Sequence, residues 1–414
     1  MKTKQFFALL ACLLTILPFS PAFGDSGRYT DGDRHESRHY GAGVGAVFVM
    51  TNDAESNEVI MYRRSLRGTL SPMGRFPTGG RGSGFGKTVG IDPLGSQNSL
   101  LIGEKGKYLF AVNAGDNTVS LFQIEKGYLK IVDNVPSGGR FPVSLTVHKK
   151  ILYVLNAGAN NGLGNDTPAN MTGFQRIGNR LVQIEGSTRP LVEVPQNPTD
   201  PDSDFPNILA TPAQVQFTPR GDSLVVTIKD GVNGQNNSIW TFAVDKENGY
   251  LADEFPAIFP TAGPVPFGFT FDSRERLVVT DPGVSTITSY ELDDGAIEGP
   301  NASVETGQAA TCWIAGTERR YADLVYAANT GSGSLSGFRV RRDSSLSEIG
   351  VFPVGEGALN IDLAVTRDGR FVYTQNGGFG TVSIFRVERN GTLAFVDEID
   401  VVEPVSGFQG IAAW

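Results

Sequence analysis

Apolar and polar residues of this chain follow one another in short runs, and the most regular runs lie near its C-terminal end. Residues 381–387 read TVSIFRV, in which polar and apolar positions largely alternate. Two further apolar runs occupy residues 361–366 and 371–376, and the polar turn between them contains a glycine. A period of two between such turns predicts β-strands. This stretch therefore predicts one unit of four antiparallel strands, followed by an extra strand at residues 410–414.

The same unit recurs along the chain from residue 46 onward. Each copy has a strand that ends in Asn or Asp, a turn of small residues, an alternating strand, and a weaker strand that leaves through Gly or Pro. The strand-ending residues are Asn52, Asn113, Asn156, Asp230, Asp281, Asn329 and Asn376. The copies are roughly 45 to 70 residues apart, which is the range of propeller blades with insertions. Seven units predict an all-β fold, a seven-bladed β-propeller over residues 46–414.

The first unit lacks an innermost strand, because the residues before Ala46 are polar and show no apolar period. The extra strand at residues 410–414 has no partner in its own unit. If it pairs with the strand that starts at Ala46, the ring closes and two open sheet edges disappear. The sequence therefore predicts closure by the C-terminal strand, which pairs into the first blade.

The N-terminal residues predict export. Lys2 and Lys4 precede an apolar run from Phe6 to Leu17, so we expect residues 1–24 to be a signal peptide. Residues 25–45 predict a disordered polar leader. The apolar run is too short to cross a bilayer and no other run is long enough, so no transmembrane segment is expected. The expected location is the periplasm or the extracellular space.

Composition narrows the classes of partner. The formal net charge is −9, which argues against nucleic-acid binding because the phosphate backbone attracts basic surfaces. Without the signal peptide, Cys312 is the only cysteine, so neither an internal disulfide nor a cysteine-based metal site is expected. We predict no metal and no cofactor.

Candidate chemistry lies in the loops that link the outer strand of one blade to the inner strand of the next, on what we call the connection face. These loops bring six candidates near one mouth of the channel: Arg81, Arg140, Gln214, Gln308, Glu356 and Gln409. Arg81 and Arg140 follow paired glycines and are predicted to bind an acid group, since a guanidinium clamps a carboxylate with two hydrogen bonds. Glu356 is the predicted catalytic carboxylate, and the three glutamines are predicted substrate contacts. The alternative interpretation of both arginines and of Glu356 is an exposed loop charge.

The repeats resemble the seven-bladed lactonase family, which includes bacterial phosphogluconolactonases, fungal carboxymuconate-lactonising enzymes and surface proteins with tyrosine-valine-threonine-asparagine repeats. The residues that carry the resemblance are LYVLN at 152–156, VYTQN at 372–376 and the turn RDGR at 367–370. These motifs specify architecture: tyrosine fills the interface between blades and glycine makes the turn. The resemblance covers nearly the whole chain after the signal peptide and implies lactone hydrolysis.

Family members often carry a histidine just after the proline of an inner-strand loop. Here Pro142 is followed by Val143, and Pro266 by Phe267, so the mouth has no such histidine. His148 falls in a turn between first and second strands on the opposite face, where we expect a surface residue.

Three functions stay open at this point. The first is an exported lactonase-like hydrolase that acts on a small cyclic ester, or on a small acidic molecule, at the channel mouth. The second is a non-catalytic exported propeller that binds a protein, a glycan or a small ligand. The third is a lactone-forming enzyme of the carboxymuconate cyclase type. An open polar mouth would favour an enzyme, and a plugged mouth would favour a binding protein.

Overall fold

The computed structural model describes residues 45–86, 91–161, 166–197, 205–234, 236–252, 255–261, 263–293, 295–317 and 323–414. The expected signal peptide and almost all of the expected leader lie outside these residues. Seven antiparallel sheets follow one another along the chain, and the predicted seven-bladed β-propeller is confirmed. Within the described residues, no helix has the length and apolar character needed to cross a membrane.

The blades take their strands in chain order. Blade 1 begins with β1 (Gly45–Met50), β2 (Glu58–Arg64) and β3 (Leu70–Pro77). Blade 2 contains β4 (Leu100–Gly103), β5 (Tyr108–Asn113), β6 (Thr118–Glu125) and β7 (Tyr128–Pro136). Blade 3 contains β8 (Pro142–His148), β9 (Ile151–Asn156), β10 (Asn170–Ile177), β11 (Arg180–Gln183) and β12 (Arg189–Pro190). A short 3-10 helix (Ile208–Ala210) then leads into blade 4.

Blade 4 contains β13 (Pro212–Phe217), β14 (Ser223–Ile228), β15 (Ser238–Ala243) and β16 (Ala257–Pro260). Blade 5 contains β17 (Phe269–Phe271), β18 (Leu277–Asp281), β19 (Thr286–Asp293) and β20 (Ala296–Glu305). Blade 6 contains β21 (Thr311–Gly316), β22 (Leu324–Asn329), β23 (Ser334–Val340) and β24 (Leu346–Pro353). Blade 7 contains β25 (Asn360–Val365), β26 (Phe371–Asn376), β27 (Thr381–Val387) and β28 (Leu393–Asp400), and the last strand is β29 (Ile411–Ala413).

The last strand completes blade 1, as predicted. β29 lies antiparallel to β1, so that Phe48 faces Ala412 in the register. The joint is tied to blade 7 by Arg64, which is 2% exposed. Its Nε donates to the main-chain oxygen of Trp414 at 3.3 Å, and its guanidinium forms an ion pair with Asp368 at 3.3 Å. The buried guanidinium of Arg64 therefore joins the C-terminal strand of blade 1 to blade 7.

Tyrosines at the centres of second strands join neighbouring blades. Tyr153, Tyr326 and Tyr373 are fully buried. Each hydroxyl donates to a main-chain oxygen in the following blade: Tyr153 to Gly249 at 2.6 Å, Tyr326 to Gly391 at 2.8 Å, and Tyr373 to Gly68 at 2.8 Å. The interface role expected for tyrosine is thereby confirmed, and the polar end of each ring has a partner inside the core.

The strand-ending asparagines close turns. Asn376 donates from Nδ2 to Thr381 Oγ1 at 2.9 Å and to Ser383 Oγ at 2.8 Å, and Asn113 and Asn329 repeat this pattern in their own blades. These side chains hold the second turn of the blade and leave the channel to the inner strands, namely β29, β4, β8, β13, β17, β21 and β25.

Candidate functional site

The channel is closed at the connection face by residues 91–99, which we call the plug. Leu94 and Ser96 are completely buried, and Gln97 is nearly so. Ser96 O accepts from Trp313 Nε1 of blade 6 at 2.8 Å and from Gln409 Nε2, next to blade 1, at 2.9 Å. The same segment also bonds to Val143 of blade 3 and Ala213 of blade 4, on the other side of the ring, so the plug crosses the channel.

Two β-bulges help to hold the plug. The registers of β8 and β13 each shift near their first residue, which leaves Val143 and Ala213 without a partner on the next strand. Val143 O accepts from Ser96 Oγ at 2.8 Å, and Ala213 O accepts from Gln97 N at 3.1 Å. Carbonyl groups released from the sheet ladders are thus satisfied by the plug.

Buried ionisable groups surround the plug. Lys229 Nζ donates to Gly95 O at 2.7 Å and to Thr211 Oγ1 at 2.9 Å, and burial lowers the pKa of this ammonium. Burial raises the pKa of Asp92, against the opposing charge of Lys229. Burial also raises the pKa of Asp362 to about 8, although Leu363 N and Ile411 N donate to its carboxylate. Burial therefore disfavours the charged form of all three groups at this closed end, while Asp92 and Lys229 stabilise each other's charge.

The structure places the six predicted site residues in different environments. Arg81 and Glu356 are exposed in loops, and Arg140 is half-buried just before β8. Gln308 accepts from Ser334 Oγ at 3.0 Å. Gln214 and Gln409 are completely buried and bond to main-chain groups of the protein. The contacts predicted between these six residues and a ligand stay predictions.

The opposite end of the channel opens into a cavity of about 720 Å³, which we call the turn-face cavity. Its wall is made by inner strands and first turns from all seven blades, and plug residues Gln97 and Asn98 form its floor. A volume of this size is usual for a small-molecule site. The plug therefore separates a filled end from an open end.

Three of the polar residues that line this cavity are His148, Gln216 and Asn98. Leu145 N of β8 donates to Asn98 O at 2.9 Å, which fixes the floor against blade 3. The ring of His148 lies 5.7 Å from that of Phe217, so the imidazole packs at the interface between blades 3 and 4. Gln216 is on the other face of β13, on the side of Gln214 and blade 5.

The two amides are held in defined conformations. Asn98 has a φ of +66°, a left-handed conformation that Asn tolerates better than most residues. Among the residues that the structure describes, its side-chain amide has no protein partner. Gln216 Oε1 accepts from Gln214 Nε2 at 2.8 Å, which leaves its own Nε2 as a donor. Both amides are thus available to a ligand.

His148 is suited to accept a proton. Burial lowers its pKa below the ordinary value, and the nearby cations Lys149 and Lys246 add to this effect. The imidazole is therefore neutral at neutral pH. We expected His148 to be a surface turn residue; it lies on the expected face, but it ends β8 and faces the cavity.

The rim of the cavity carries positive charge beside an aromatic ring. The guanidinium of Arg367 lies 4.5 Å from the centroid of the Trp414 ring. The indole also packs on Gly106, where a Cβ atom would come within 2.8 Å of it. Lys105, next to this glycine, also lines the cavity. Arg367 and Lys105 thus put positive charge on the wall of the cavity, where it attracts an acidic group.

Comparison with known families assigns the chain. The family model described as "Lactonase, 7-bladed beta-propeller" matches residues 28–162 and 280–403. The chain belongs to this lactonase family. The resemblance inferred from the repeats is therefore confirmed. A comparison with curated proteins finds no match.

Solved structures similar to this lactonase-family chain share its architecture. One is a candidate 6-phosphogluconolactonase from Bacteroides fragilis, with 17% identity, a TM-score of 0.64, and coverage of 91% of this chain and 99% of that one. Another is the periplasmic gluconolactonase of Pseudomonas aeruginosa, with 15% identity, a TM-score of 0.64, and coverage of 89% and 98%. A protein from Lactobacillus plantarum matches with 15% identity, a TM-score of 0.64, and coverage of 89% and 99%. At such identities the likeness shows the fold alone.

Proposed function

We propose that this lactonase-family propeller is an exported hydrolase that opens a small cyclic ester in the turn-face cavity. The observation that carries the proposal is one open cavity whose lining includes the imidazole of His148 and two side-chain amides, Asn98 and Gln216. Ester hydrolysis needs a base for water and donors for the developing oxyanion, and these residue types supply both. The two lysines and the apolar run that follows them at the N-terminus support export.

In this proposal His148 accepts a proton from water as the water oxygen attacks the ester carbonyl carbon. Asn98 and Gln216 donate hydrogen bonds to the carbonyl oxygen as it gains negative charge. The ring carbon–oxygen bond then breaks, and the imidazolium returns the proton to the leaving alkoxide. The product is a hydroxy acid, whose carboxylate is attracted by Lys105 and Arg367 at the rim.

The test compares the two ends of the channel. A panel of small lactones is screened for hydrolysis by the wild type, His148→Ala and Arg140→Ala. We expect His148→Ala to lower kcat about 10²–10⁴-fold, the usual contribution of a general base, and Arg140→Ala to retain kcat. Loss of turnover in Arg140→Ala but not in His148→Ala would move the reaction to the connection face. Absence of turnover by the folded wild type on every lactone would overturn the proposal.

A second candidate is non-catalytic binding of a protein, a glycan or a small ligand. The observation that favours it is the plug, which fills the end where we predicted the catalytic carboxylate. A bound partner found for a wild type without turnover would support this function. A lactone-forming, carboxymuconate cyclase-like activity uses the same cavity, and ring closure of an unsaturated dicarboxylate is its direct assay.

A further inference from the structure

Gln214 connects the main chain of blade 5 to the side-chain amide of Gln216, which lines the turn-face cavity. It is completely buried on β13 of blade 4. Its Oε1 accepts from Phe269 N of blade 5 at 2.7 Å, and its Nε2 donates to Phe269 O at 2.9 Å. The same Nε2 also donates to Gln216 Oε1 at 2.8 Å. One side chain thus bridges two blades and contacts an amide that lines the turn-face cavity.

We infer that Gln214 is a positioning residue, which fixes the amide of Gln216 as a hydrogen-bond donor toward the bound ester. This inference rests on the proposed function. A glutamine amide has an oxygen end and a nitrogen end of nearly equal shape, so an unrestrained one presents either end. A cavity that stabilises an oxyanion needs the nitrogen end only.

Phe269, Gln214 and Gln216 form a series of hydrogen bonds, which we call the amide relay. The orientation of each amide in it is fixed by the preceding group. The main chain of Phe269 cannot exchange its N–H and C=O, so it fixes which end of Gln214 faces which group. A flipped Gln214 would set donor against donor and acceptor against acceptor at Phe269. With Gln214 fixed, its second N–H meets Gln216 Oε1, and only Gln216 Nε2 remains for the cavity.

Two other glutamines pair with main-chain groups in a similar way, but without a further bond to a side-chain amide of the described residues. Gln97 pairs with both main-chain groups of Ile314, at 2.8 and 2.9 Å, and Gln409 accepts from Leu94 N and donates to Ser96 O. Within the described parts of the chain, neither donates to a second side-chain amide. The additional bond from Gln214 to Gln216 is therefore the feature that gives Gln214 a role beyond holding the ring.

The test replaces the donor while keeping the shape. In Gln214→Glu the new carboxylate accepts hydrogen bonds but cannot donate one to Gln216 Oε1, so the Gln216 amide turns and presents its oxygen to the cavity. We expect kcat to fall about 10²-fold, the cost of losing one oxyanion donor, with little change in KM. In a Gln216→Ala background, adding Gln214→Glu should lower kcat no further. Independent losses that multiply in the double variant would overturn the inference.

A matched control separates positioning from loss of stability. Thr227 Oγ1 donates to Phe267 O at 2.6 Å across the same interface of blades 4 and 5, and Thr227 is completely buried. Thr227→Val should lower the melting temperature, as Gln214→Glu does, but leave kcat unchanged. If kcat falls equally in both variants, the effect is structural and the inference fails.

An NMR measurement that needs no turnover tests the positioning of Gln216 separately from the proposed hydrolysis. In ¹⁵N-glutamine-labelled protein, the side-chain NH₂ signals of Gln216 are identified by their absence in Gln216→Ala. We expect these signals to shift strongly in Gln214→Glu and to keep their positions in Thr227→Val. Unshifted Gln216 signals together with wild-type kcat in Gln214→Glu overturn the positioning role. Shifted signals in a protein that hydrolyses no lactone support the positioning and overturn the proposed hydrolysis.

Discussion

The two ends of the channel use polar residues in opposite ways. At the connection face, side chains such as Gln409 and Lys229 donate their hydrogen bonds to the plug, and burial lowers the pKa of the Lys229 ammonium. At the turn face, Asn98 and Gln216 direct amide groups into open space. The difference teaches that a ring of polar residues near a channel marks a ligand site only where those residues are not already bonded to the protein.

Deletion of residues 410–414 should have the largest effect, because it opens the ring on which both ends of the channel are built. The deletion removes β29, which pairs with β1 and lines the turn-face cavity, and it removes the partner of Arg64 at Trp414. The expected loss is several kcal/mol, which is comparable to the whole stability of a domain. Circular dichroism and thermal melting of the truncated chain check this. A wild-type melting temperature would contradict closure by β29.

Gln409→Leu should weaken the closed end specifically. Gln409 is completely buried, and its replacement leaves Leu94 N and Ser96 O of the plug short of one partner each. We expect a loss of about 2–3 kcal/mol in the free energy of unfolding, since an unpaired buried main-chain group is costly. Denaturant unfolding measures it.

Gln308→Leu is the control for this prediction, because Gln308 is only partly buried, beside Ser334. Its expected loss is under about 1 kcal/mol. Equal stability of Gln409→Leu and the wild type would show that Gln409 does not hold the plug.

The smallest expected effect concerns the pH dependence of hydrolysis in the turn-face cavity. The proposed hydrolysis uses neutral His148, whose pKa lies below its ordinary value of 6.5 because of burial and then Lys149 and Lys246. As the pH falls, the imidazole gains a proton and the base is lost, so the acid limb of kcat/KM should have its midpoint below pH 6.5.

Lys246→Ala removes one of the cations that lower the pKa of His148, so the midpoint should rise, by less than about one pH unit. The measurement is the pH profile of kcat/KM with an uncharged lactone. A wild-type midpoint above pH 7 would contradict the assignment of His148 as the base.

The repeats made the fold predictable, and the candidate site was not predictable to the same degree. Strand and turn signals recur in every blade, so errors in one copy are corrected by the others, and the unpaired strand at the end revealed the closure. The plug occurs once, between β3 and β4, and has no repeat to reveal it. Sequence spacing placed His148 on the correct face, but only the open cavity on that face makes it a candidate base. The alternation of Gln214 and Gln216 along β13 was the one available signal for the amide relay.

The ring closure also sets the order in which the molecule can form. Arg64 and Trp414 are 350 residues apart in the chain but hydrogen-bonded in the structure. Contacts of such long sequence separation form slowly, because most of the intervening chain must already be organised. Until β29 arrives, β1 presents an unpaired edge to any other strand nearby. We therefore expect refolding yield to fall with protein concentration, through edge-to-edge association of blade 1 in chains whose remaining blades are already folded.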